Sequence, residues 1–215
     1  MIRTLIAFLL AATPAFATEF SWPALYDVEG VETGDVLNIR SAPSADAEQI
    51  GNLPPSAIDV EVIRVNDALT WGLVNTGEGT GWVSLAFLSR QAGQREGVFP
   101  KIRQCFGTEP FWSLLVEPPR ATFSSQDTKA RDGLVSGLHR SRNRRDRFVF
   151  TGSFFPDDFG VLDMELMLRT EACSDGMSDR AYGISVDLFM SGSTNPEAHQ
   201  LLSGCCSLVP PAASR

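Results

Sequence analysis

Few side chains in this 215-residue chain could do chemistry, and they lie far apart. Glu109 with Asp175 or Asp179 could form a carboxylate pair, which drives glycoside hydrolysis when two acids flank a sugar linkage. Nothing in the spacing brings these acids together. Glu109 before Pro110, and the acids of the 175–179 stretch, equally suit turns and caps. His139 and His199 sit in polar, loop-like segments without a nucleophile-elbow glycine pattern, so a Ser-His-Asp centre is not expected. Four cysteines, Cys105, Cys173, Cys205 and Cys206, complete the reactive set. They lack a Cys-x-x-Cys chelate, so disulfides are expected before a metal site built with His199. A bond between the adjacent Cys205 and Cys206 would be strained, so Cys105 and Cys173 should each take one of them, in an order left open. No metal and no cofactor is expected, and the remaining chemistry is binding. Trp71 and Trp82 offer aromatic faces for sugar rings or peptide backbones, and Asn38 and Arg40 offer hydrogen-bond donors to a carbonyl or carboxylate.

The elements that must position these groups read as short strands. Leu37 and Ile39 alternate with Asn38 and Arg40, the period-two pattern of a half-buried strand, and Ser41 to Ala45 carry a turn signal around Pro43. Ile58, Val60 and Val62 are expected inward, with Asp59 and Glu61 outward. The phase then slips at Ile63 and Val65, as at a bulge or barrel corner. A strand at Trp71-Gly-Leu-Val, a hairpin marked by Gly77 and Gly79, and a strand at Trp82-Val83 complete a five- or six-strand meander that closes on itself. This half contains neither His nor Cys.

Leu37-Asn38-Ile39-Arg40 with Pro43, answered by Gly81-Trp82-Val83 and Leu88, resembles the bacterial SH3-like domain, a small β-barrel of secreted wall-associated proteins. Ala42 stands where a glycine is common. The resemblance covers residues 22–91. It implies binding of cell-wall peptidoglycan or its stem peptides, or the holding of a neighbouring domain.

The second half alternates over longer runs. Trp112, Leu114 and Val116 share one face, residues 120–124 make a short strand, and Phe148 and Phe150 share a side of another. Leu162, Met164, Leu166 and Leu168 form one clean series, and Ile184, Val186, Leu188 and Met190 the next. With turns between and no helical period, these predict an antiparallel barrel or sandwich. The run from His139 to Arg147 is the one basic cluster. It is expected as a hairpin loop whose contact would be an anionic envelope polymer or the acidic first domain. Cys105-x-Gly-Thr-Glu-Pro-Phe-Trp, Cys173-Ser-Asp-Gly-Met-Ser-Asp and Gly204-Cys205-Cys206 together resemble an uncharacterised group of bacterial envelope proteins, over residues 100–208.

Arg3, the apolar run from Leu5 to Ala12, Pro14 and Ala15-Phe16-Ala17 read as a secretory signal peptide cleaved near Ala17, too short to span a bilayer. A periplasmic or secreted protein with no membrane span in the mature chain is expected. The formal charge is −8, from 18 basic and 26 acidic residues. Between residues 18 and 92 there are 11 acids against Arg40, Arg64 and Arg90. That imbalance and the export signal argue against nucleic acid. The expected organisation is a signal peptide (1–17), the SH3-like domain (22–91), a small polar linker (92–99), a disulfide-tied all-β domain (100–208) and a tail (209–215). The expected fold class is all-β, a small SH3-like barrel followed by a second antiparallel barrel or sandwich. The leading function is non-catalytic recognition of cell-wall glycan or peptide. An adaptor or inhibitor of an envelope protein, presenting Glu109, Trp112, Asp175 and Asp179, is the alternative, and a carboxylate hydrolase stands behind it.

Overall fold

The computed structural model describes residues 22–95, 97–126, 129–155, 160–192 and 199–209. The expected signal peptide and most of the tail fall outside them. The protein is all-β. In the first half, β1 (Ala24–Val28), β2 (Leu37–Arg40), β3 (Gln49–Leu53), β4 (Val60–Val62), β5 (Arg64–Val65), β6 (Trp71–Thr76), β7 (Gly79–Ser84) and β8 (Leu88–Arg90) form two small sheets. One runs β3-β2-β7-β6-β5 and the other β4-β1-β8. There are more strands than the expected meander, and they are shared between two sheets around one core of Ala24, Leu37, Ile39, Val60, Val62, Val74 and Val83.

The phase slip after Val62 is the corner between the sheets. Val62 pairs with β1, while Arg64 already pairs with β6. Ile58 was expected inward, yet it is 71% exposed. Asp59 takes a left-handed φ of 57°, which breaks the alternation just before β4 begins. Gly81 is required by close approach, because a Cβ there would lie 2.3 Å from Cγ2 of Ile39.

The second half is a closed barrel of eight antiparallel strands. These are β9 (Gln104–Thr108), β10 (Phe111–Glu117), β11 (Arg120–Ser125), β12 (Arg131–Arg140), β13 (Arg147–Phe154), β14 (Leu162–Cys173), β15 (Tyr182–Gly192) and β16 (Gln200–Ser207). Neighbours in sequence pair, and β16 closes on β9. The three alternating series all point inward: Leu114 and Val116, Leu162 to Leu168, and Ile184 to Met190 are buried. Disulfides join Cys105 to Cys206 and Cys173 to Cys205. Successive residues of a strand face opposite ways, so the adjacent Cys205 and Cys206 reach different partners. Each bridge closes a long loop and is worth roughly 2–4 kcal/mol.

Two expectations for this half need correction. His139 is not in a loop but on β12, a strand whose apolar period is broken by a register shift between Val135 and Gly137. Trp112 is not a surface group. It is 3% exposed, stacks near Phe123 and donates from Nε1 to the Ser203 carbonyl at 3.3 Å.

The two halves also touch. The Asn75 side chain donates to the Ala181 carbonyl at 3.0 Å and accepts from its N–H at 3.1 Å. Arg180 Nε donates to the Gly77 carbonyl at 2.7 Å, and the Asp179 N–H donates to the Glu78 carbonyl at 2.9 Å. Glu61, outward from its own strand, accepts at Oε2 from the Ser207 hydroxyl and the Leu208 N–H. Its Oε1 is sealed from solvent with no hydrogen-bond partner among the described residues. Burial, only partly offset by the hydrogen bonds from Ser207, Leu208 and Val209, raises the Glu61 carboxyl from 4.5 to about 7.

Candidate ligand-binding face

The outer face of the five-stranded sheet is built by simple alternation. Leu37 and Ile39 go into the core, so Asn38 and Arg40 face out. Arg40 stands opposite Trp82 across the β2–β7 pair. Trp82 in turn stands opposite Leu73, and Trp71 opposite Ser84. Directly opposed residues share a face, so all these side chains lie on one surface. Trp82 therefore packs outside the core, with the Arg64 guanidinium 4.9 Å from its ring centre. A cation on that ring face already occupies one of its two stacking surfaces.

Beside it runs a groove of about 480 Å³, lined among others by Asn38, Arg40, Trp71, Ser84 and Phe87. Three of the four residues singled out for binding thus meet in one hollow, and Trp82 lies next to it rather than in it. Trp71 is held at the groove by Asn66, whose Oδ1 accepts from the Trp71 and Thr70 N–H groups at 2.9 Å each. Arg40 is steadied by donating from Nη1 to the Ala47 carbonyl at 2.7 Å. Glu32, Asp35 and Phe87 also line it and were not anticipated. Phe87 is 41% exposed at the end of a single 3-10 turn (Leu85–Phe87), a position with no periodic signal. Chemically the groove combines an aromatic wall, one cation and two acids. That set suits a ligand carrying apolar, amine and carboxylate groups together.

The second-barrel candidates do not assemble into a comparable site. Glu109 is exposed beyond the end of β9, and Trp112 is core. Asp175 organises its own turn: Oδ1 accepts from the Met177 and Ser178 N–H groups, and Oδ2 from the Ser178 hydroxyl. Burial opposes its ionisation, but these hydrogen bonds win and hold the Asp175 carboxyl below the usual range. Asp179 lies at the contact with the first half through its N–H. In the basic run, Arg144 pairs with Asp146 at 2.8 Å and Arg147 with Glu171 at 3.3 Å. Among the described residues no group of three His, Cys, Asp or Glu side chains is placed to hold a metal ion.

No helix among the described residues is long and apolar enough to cross a membrane. Two disulfides fit a compartment outside the reducing cytoplasm. Comparison with curated proteins and with solved structures finds no match to this chain. A family model described as bacterial SH3 domain does match, over residues 35–89, the span from just before β2 to β8 that contains most of the groove. The bacterial SH3 domain is thus what residues 35–89, about a quarter of the chain, are similar to.

Proposed function

We propose that this chain is an exported envelope protein that carries out no turnover and binds cell-wall peptidoglycan or its stem peptides through the Trp71 groove. The convergence of Asn38, Arg40 and Trp71 on one hollow carries the reading. A bacterial SH3 domain points to peptidoglycan or protein as the ligand class. The choice of wall material rests on the lining: Trp71 stacks on a sugar or peptide plane, Arg40 meets a carboxylate, and Glu32 and Asp35 meet an amine. Stem peptides present all three kinds of group on one short, extended chain. Among the described residues, the hydrogen bonds that join the halves run through Asn75, Gly77, Glu78 and Glu61, none of which lines the groove. On this reading the binding domain spans 22–91, the linker 92–99, and the barrel of 100–208 is the part delivered to the wall.

The test is co-sedimentation of residues 18–215 with purified sacculi. Retention by the parent chain, lost in Trp71→Ala and weakened in Arg40→Ala, is the expected result. If the parent chain stays in the supernatant, the wall reading fails and the domain is a protein adaptor.

A further inference from the structure

One end of the eight-stranded barrel is filled by stacked rings, and a hollow lies at the other, between the barrel and the first half. Trp112, Phe123 and Phe154 pack in series towards the filled end, with ring centres 6.4 and 6.0 Å apart. Towards the other end lies a cavity of about 710 Å³ that Leu25, Asp59 and Gln91 of the first half help to line and whose other walls are mostly apolar, Ile102, Val116, Val135, Leu138 and Phe150 among them. Phe99 covers part of it, edge-on to Phe150 at 4.5 Å and to Phe148 at 5.3 Å.

The register shift in β12 decides what lines the mouth. Beyond it, Leu138 pairs with Phe150 and Arg140 with Phe148, so both turn to the side on which those buried rings lie. Without the extra residue, Gly137 and His139 would take those places. A bulge at a barrel rim re-aims side chains in this way. Leu138 is nonetheless 49% exposed, because it stands at the opening. A second hollow of about 500 Å³ adjoins along the same two segments. Arg140, two residues on from Leu138, lines it with Arg142, and Gly97, two residues before Phe99, forms its other side. Arg140 and Arg142 have no ion-pair partner among the described residues. Lys101 adds a further cation at the apolar cavity. Arg103, also in the lining, is paired with Glu117 at 2.9 Å, and Asp59, an acid of the lining, accepts from the Gln91 amide at 2.9 Å.

We propose that the barrel mouth binds a single-chain anionic amphiphile, its alkyl chain in the cavity behind Leu138 and its carboxylate or phosphate head on Arg140, Arg142 and Lys101. An apolar hollow of this size takes a chain by burial alone, and guanidinium groups favour planar or tetrahedral oxyanions over other heads. The inference stands apart from the Trp71 groove and uses none of its residues.

Titration calorimetry on residues 18–215 tests it with dodecanoate, dodecyl phosphate and dodecyltrimethylammonium, each below its micelle concentration. At least one anion should bind one to one, tenfold or more tighter than the cation, and the tighter anion identifies the head group. Affinity should rise about fourfold for each methylene added from octyl to dodecyl. Leu138→Gln, which alters a half-exposed side chain, should weaken binding tenfold or more. Arg140→Glu should weaken the anions while sparing the cation. No heat of binding, equal affinity for the cation, or full affinity in both variants would each overturn the assignment.

Discussion

Glu61→Gln gives the sharpest test of how the two halves are joined. The wild-type carboxyl is raised from 4.5 to about 7 because folding places it between the halves, where burial penalises its charge more than the hydrogen bonds from Ser207, Leu208 and Val209 compensate. Its pKa is higher in the folded state, so the folded protein holds a proton that the unfolded chain has released. The favourable contribution is complete below pH 4.5 and is lost as pH rises through 7. At 1.36 kcal/mol per tenfold change, the full loss is about 3 kcal/mol, of which about 2.5 kcal/mol falls between pH 5 and pH 8. Glutamine keeps an acceptor for the Ser207 hydroxyl and the Leu208 N–H, and its nitrogen replaces an Oε1 that already lacks a partner. At pH 5 it closely imitates the protonated acid, so the variant and parent should unfold at nearly the same urea concentration. At pH 8 the variant should be more stable by about 2–3 kcal/mol, or roughly 5–10 °C in melting temperature. Urea unfolding at both pH values, with the disulfides intact and tryptophan emission as the signal, measures this double difference. An equal effect of the substitution at pH 5 and pH 8 would refute the reasoning, as would a loss of stability confined to pH 8.

Two further outcomes follow from the second barrel. Cys173→Ser with Cys205→Ser removes the bridge across 32 residues and should lower stability by about 2–4 kcal/mol, read as a lower urea midpoint under oxidising conditions. Gly107→Ala places a Cβ 2.2 Å from Nε1 of Trp112 and 2.6 Å from the Ser203 carbonyl, so the indole must leave its site. Destabilisation by about 3 kcal/mol or more and a red-shifted tryptophan emission are expected.

What the sequence determined by itself is whatever depends on near neighbours along the chain. The alternating series at Leu162 and Ile184 named their buried faces correctly, because strand period is a local property of the backbone. The same holds for Asn38 and Arg40, which face out because Leu37 and Ile39 face in. The pairing of Cys105 and Cys173 with one each of Cys205 and Cys206 followed from local strain between adjacent residues. Tertiary structure decided the rest. Trp112 shares the face of Leu114 and Val116 by local alternation, but what it meets there, Gly107 on β9 and the Ser203 carbonyl on β16, is set by packing. Glu61 reads as a solvent-facing strand residue until a second barrel is laid against it. The groove joins Asn38 and Arg40 on β2 to Trp71 on β6, which line one hollow because β7 pairs with both strands in the sheet. Leu138 and Arg140 reach the barrel mouth through one extra residue in β12 whose presence is defined only by the register of β13. Local pattern fixes which way a side chain points from its own strand, and only packing fixes what it meets there.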